Sequence, residues 1–164
     1  MPWVSHDDSV LLHQGIGLRA FNELSASKAS HALYECCNSV IMAADLAAGR
    51  PYADHSALFR KADAVLFGLS EESIDEILEA YTRPALMVQL YDTTRPYRDR
   101  FGFDFVMYLG TGGIEVSSVL TAIGDRMHHD RETERKVLRN EIAKINRNRL
   151  ERMLGPEGGY DNWI

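Results

Sequence analysis

Asp130-RETERKVLRNEIAKINRNRLERM-Leu154 is the longest helical pattern in the chain, and its reading decides the fold class. Asp130 offers a cap for the first turn, and Leu138, Ile142, Ile145 and Met153 recur at three- and four-residue steps. The remaining positions are mostly charged, with mixed sign. This is the pattern of a half-buried surface helix. Arg149 falls inside the apolar stripe, and a guanidinium on a buried face needs a partner. Two readings stay open at this point: a structural ion pair, or a planar fork that grips a substrate carboxylate.

Further helices precede this one. Ser25 or Ser27 can cap a helix in which Ala29, Leu33, Cys36, Cys37, Val40, Ile41 and Ala44 share helical spacing until Gly49-Arg50-Pro51 ends it. A second fits Ser56 to Phe67 and stops at Gly68. Ser70 with Glu71 and Glu72 starts a third, on which Ile74, Ile77, Leu78 and Tyr81 share one face. Pro84 breaks the pattern, and a short helix from Met87 to Tyr91 precedes a polar segment, Asp92 to Arg100. Phe103 to Leu109 is rich in aromatic and β-branched residues but has no visible strand to pair with, so it reads as buried extended chain. Val116, Val119, Leu120, Ile123 and Met127 mark a helix ending near His128-His129.

These elements predict an all-α, irregular multi-helical single domain. Residues 1–20 form an N-terminal arm, 21–154 the helical domain and 155–164 a tail, with Trp163 tucked back. A chain of 164 residues that is 45% hydrophobic can bury one proper core.

The formal charge of −6 argues against a phosphate-backbone binder, so no nucleic-acid partner is expected. The acidic start and the lack of a long apolar run predict a soluble cytoplasmic protein with no membrane partner. Cys36 and Cys37 are adjacent and cannot staple the fold, and no Cys/His spacing suits zinc, so no metal is expected. The two cysteines read as core fillers lying mid-helix. His128 and His129 read as helix-end or surface residues. Gly110-Thr-Gly-Gly113 lacks the rest of a phosphate-binding motif and reads as a turn.

Taken in order, Phe21-Asn22-Glu23-Leu24, Cys36-Cys37-Asn38-Ser39, Arg50-Pro51-Tyr52, Phe101-Gly102-Phe103 and Glu141-Ile-Ala-Lys-Ile145 with Arg149-Leu150 resemble the ureidoimidazoline (OHCU) decarboxylases of purine breakdown. The likeness spans residues 20–154. In that family a histidine of a His-Pro pair ends a helix and assists loss of carbon dioxide, giving the S isomer of allantoin. A glutamate in a Ser-x-x-Glu-Gln segment helps to hold the substrate. Here Tyr81 and Thr82 stand where His-Pro belongs, Arg83 resembles the arginine often found next, and no Ser-x-x-Glu-Gln lies between Tyr81 and Tyr97. Arg149 is similar to the family's active-site arginine.

Imidazole exchanges protons near neutrality, whereas a tyrosine titrates at about 10 and mainly donates. Losing a general acid/base typically removes about 10²- to 10⁴-fold of rate. The resemblance therefore implies a diverged, cofactor-independent lyase or isomerase acting on an anionic, carbonyl-bearing small molecule, with Tyr81 and Arg149 catalytic. Arg149, Arg83, Phe101 and Phe103 bind the substrate. A biosynthetic role and a homodimer follow by the same analogy. Two alternatives remain: a non-catalytic metabolite-binding or regulatory homologue, and a true ureidoimidazoline decarboxylase in which another group, such as His31 or His55, replaces the missing base.

Overall fold

The computed structural model describes residues 3–4, 11–81, 85–110 and 114–157. Among them are nine helices and two two-residue strands, so the all-α expectation holds. The chain divides into two compact units, Val10–Tyr81 with Asn146–Ile164 and Met1–Ser9 with Thr82–Ile145.

The first unit contains α1 (Leu18–Glu23), α2 (Ala26–Cys37), α3 (Val40–Ala48), α4 (His55–Gly68) and α5 (Glu71–Ala80). Its starts are capped as the sequence suggests. Ser25 Oγ accepts from Lys28 N at 3.2 Å and Ser70 Oγ from Ser73 N at 3.1 Å, and Asp54 Oδ1 accepts from Ala57 N at 2.7 Å. One expectation fails: the helix predicted from Ser25 to Gly49 is two helices. Asn38 adopts the left-handed conformation (φ 55°) and ends α2, and Ser39 Oγ caps α3 by accepting from Met42 N at 3.1 Å. The apolar pattern runs on through the break, because both helices pack against each other, so periodicity alone could not show it. Cys36 and Cys37 consequently close α2 rather than lying mid-helix.

Two of the segments that carry the family likeness hold each other. Arg50 Nη1 donates to the carbonyls of Phe21 at 2.9 Å and Leu24 at 2.6 Å. The Asn22 side chain bonds the backbone of Tyr52 twice, at 3.0 Å each way. The Tyr52 hydroxyl reaches Leu46 O at 2.6 Å and lies so near Gly49 that an added Cβ would come within 2.5 Å of it. These residues build the scaffold. Upstream, Leu11 is buried, Leu12 N donates to Glu35 Oε2 at 2.8 Å, and the amides of Gly15 and Ile16 donate to Arg152 O and Met153 O at 2.8 and 2.9 Å.

The second unit holds β1 (Trp3–Val4), α6 (Ala85–Gln89), α7 (Arg95–Phe101), β2 (Ile114–Glu115) and α8 (Val116–Arg126). It also takes the first part of α9 (Arg131–Leu154), the last part of which belongs to the first unit. Within the polar stretch Asp92 to Arg100, α7 forms, with Pro in its first turn and a left-handed Gly102 (φ 82°) at its end. After a bend at Phe103 the chain forms neither helix nor strand through Leu109, and Phe103, Phe105 and Leu109 are buried. The only strand pairing among the described residues is β1 with β2, antiparallel, Trp3 opposite Glu115. Asp130 Oδ1 accepts from Thr133 N at 2.7 Å at the start of α9, and that bond holds the Asp130 carboxyl below the usual carboxylate range.

The packing of this unit centres on a polar group inside it. Glu134 is fully buried, and its Oε1 accepts from the Tyr97 hydroxyl and from Arg126 Nε at 2.6 Å. Its Oε2 meets His129 Nδ1 at 2.9 Å. Arg126 Nη1 donates to Val106 O at 2.6 Å, which anchors the segment that follows α7, and its guanidinium lies 4.3 Å from the Phe105 ring. His129 is therefore a partner of a buried carboxylate and not merely a surface residue.

Candidate active site

Tyr81 caps the C-terminal end of α5 with an extended backbone (ψ 132°), which turns its half-buried side chain away from the helix axis. The guanidinium of Arg149, on α9 and 3% exposed, lies 5.1 Å from the Tyr81 ring centroid, close enough for a cation–π contact. Arg149 Nη1 also donates to Asn38 Oδ1 at 2.9 Å. The break between α2 and α3 makes this possible, because the left-handed cap frees the Asn38 amide to reach α9. Asn146, one turn before Arg149 and 2% exposed, accepts from the Tyr81 hydroxyl at 3.4 Å. Tyr81 and Arg149, paired in the sequence reading, thus stand together, with two asparagines beside them.

Sequence reasoning missed both asparagines. For Asn38 the signal was local, an asparagine that tolerates the left-handed conformation followed by a capping serine, but the apolar spacing runs on through it. Asn146 was legible in principle: Ile142, Asn146, Arg149 and Met153 lie on one face of α9 and are buried, whereas Ile145, assigned to the stripe, is half-buried. A polar residue at a core position is the informative deviation.

Cys36 and Cys37 are 0% and 1% exposed. Their thiols donate weakly to Ala32 O and Ser39 O, each at 3.5 Å. Burial pushes both thiols up, Cys37 to about 11 and Cys36 further, although Arg149 pulls both the other way. They stay protonated and inert, as core fillers should.

Phe101 and Phe103 are buried in the second unit against Tyr97, at ring distances of 4.7 and 5.8 Å, and pack 5.9 Å from each other. Arg83 lies outside the described residues. His31, largely exposed on α2, faces Glu35 at 3.3 Å, and His55 opens α4 with its ring 6.0 Å from Phe59. No group of three His, Cys, Asp or Glu side chains suited to a metal occurs among the described residues. None of the described helices is long and apolar enough to cross a membrane.

The model of the OHCU decarboxylase family matches the chain over residues 22–86 and 81–151. The chain belongs to the OHCU decarboxylase family. The two matched stretches overlap at residues 81–86. Two crystal structures share the fold. One is (S)-allantoin synthase, with a TM-score of 0.70 and 20% identity over 85% of this chain. The other is an OHCU decarboxylase in the presence of (S)-allantoin, with a TM-score of 0.62 and 19% identity over 74% of this chain and 95% of that one. The present chain spans only 54% of the allantoin synthase chain. No curated protein matches it.

Proposed function

We propose that this OHCU decarboxylase family member is a diverged, cofactor-independent enzyme acting on an anionic, carbonyl-bearing small molecule, by decarboxylation, cyclisation or isomerisation. The observation that carries the reading is the contact of Arg149 with Tyr81 on a buried face, and the resemblance of Arg149 to the family's active-site arginine supports it. Each of these reactions passes through an enolate-like state. A positioned guanidinium stabilises the developing negative charge, and a hydroxyl supplies a hydrogen bond to it. Arg149 grips the anionic group, and Tyr81 donates to or orients the reacting carbonyl. Arg83, Phe101 and Phe103 enter the proposal as substrate-binding residues on the family likeness alone. The homodimer, the cytoplasmic location and the biosynthetic role belong to the same proposal.

A second reading, a metabolite-binding homologue without turnover, is favoured by one observation: Tyr81-Thr82 stands where His-Pro assists catalysis. Freshly made ureidoimidazoline separates the two. Its conversion is followed by circular dichroism for the chirality of allantoin, with Arg149→Ala and Tyr81→Phe alongside. Turnover abolished by Arg149→Ala and reduced by Tyr81→Phe supports an enzyme with this site. Turnover indifferent to both variants sinks the site. Saturable binding of the compound without turnover supports the second reading.

A further inference from the structure

The side-chain amide of Asn146 has an unmet hydrogen-bonding group. Its oxygen accepts from Tyr81 at 3.4 Å, but its Nδ2 is shielded from solvent and has no acceptor among the described residues. Exchanging the amide nitrogen and oxygen would move the vacancy to the oxygen and not remove it. Asn146 also borders a narrow crevice that it shares with Met42, Phe59, Leu150 and the charged Asp63 and Arg147. A buried donor without a partner is costly and rare in folded proteins. This one lies one turn from Arg149 and under Tyr81, whose half-buried side chain is held to it by a long bond.

We propose that Asn146 is a substrate-binding residue. It donates its amide hydrogen to a carbonyl or ureido oxygen of the molecule whose anionic group Arg149 holds. This rests on the active-site reading above and narrows it to carboxylates that carry a carbonyl acceptor. Tyr81 is the movable cover: when its hydroxyl turns to the ligand, the Asn146 amide becomes reachable, and the ligand oxygen takes the place that no protein acceptor fills. No covalent step is involved.

The test uses two carboxylates of similar shape, N-carbamoylglycine, which carries a ureido carbonyl, and isocaproate, which does not. Ligand-observed NMR measures the affinity of each for the full chain. Asn146→Leu weakens N-carbamoylglycine about tenfold and leaves isocaproate unchanged, and it melts no lower than the unaltered protein because it removes an unmet polar group. Asn146→Ala gives the same discrimination and serves if the leucine does not fold. In labelled protein the Asn146 side-chain amide resonance moves with N-carbamoylglycine but not with isocaproate.

Arg149→Lys weakens both probes. If Arg149→Lys weakens both and the Asn146 variants do not discriminate, this inference is overturned and the site reading stands. If both probes are indifferent to Arg149→Lys, the site reading falls with it. No binding of N-carbamoylglycine to the unaltered protein overturns the inference as well.

Discussion

The two compact units each hold a buried arginine, and the arginines are treated differently. Arg126 belongs to a closed group. Glu134 Oε1 accepts from the Tyr97 hydroxyl and Arg126, Oε2 meets His129 Nδ1, and Arg126 itself bonds a main-chain carbonyl. Arg149 has among its contacts the neutral amide of Asn38 and the face of Tyr81, next to an asparagine with an unmet hydrogen. Closed polar groups rigidify a fold, whereas a group with an unmet donor awaits something that completes it. The difference teaches that burial of a guanidinium does not define its task. What surrounds it does.

The comparison breaks most directly at Glu134. Glu134→Ala leaves Arg126 buried without its carboxylate and should cost about 3–5 kcal/mol in denaturant unfolding. A loss below about 1 kcal/mol would mean that the closed group does not hold its unit together. At Arg149 the expectation is reversed. Arg149→Ala should reduce turnover or ligand affinity by about 100-fold or more, while the unfolding midpoint moves less than it does for Arg126→Ala. Equal destabilisation by the two substitutions would erase the contrast.

Asn38→Gly sharpens it further. Glycine keeps the left-handed cap but removes the amide that meets Arg149, so ligand affinity should fall about tenfold with the helix break intact by circular dichroism. Unchanged affinity would confine Asn38 to capping.

The thiols report on the same region. Because burial raises the folded-state value of Cys37 to about 11, its contribution to stability is whole below the ordinary thiol value and drains as pH rises from there through about 11. Denaturant midpoints should fall over that interval, less so in Cys37→Ala, and neither thiol should react with a disulfide reagent until the chain unfolds. The smallest effect is at Ser39, where Ser39→Ala removes the cap of α3 and should cost about 1 kcal/mol.

Much of the architecture was legible because capping and periodicity are local. Ser70, Asp130 and the stripe on α9 announce helices through bonds that span one turn. The break at Asn38-Ser39 carried a local capping signal, but the apolar spacing that continues across it outweighed that signal. The polar stretch that became α7 hides its helix behind Arg and Asp side chains, and only the burial of Tyr97 and Phe101 shows which face turns inward. At the candidate site, Arg149 stood out as a charge within an apolar stripe. Asn146 did not, because the stripe was drawn through Ile145, one position away.

The sequence by itself determined the helical class, the main helix starts and the likeness to the family, all of which depend on residue order and short spacings. Only the tertiary structure decided that Tyr81, Asn38, Asn146 and Arg149 meet, and that Glu134 gathers Arg126, Tyr97 and His129. These partners lie as far as 111 residues apart in the chain. Their contact is set by how helices pack and by which polar groups can be satisfied once buried, and no local pattern encodes that.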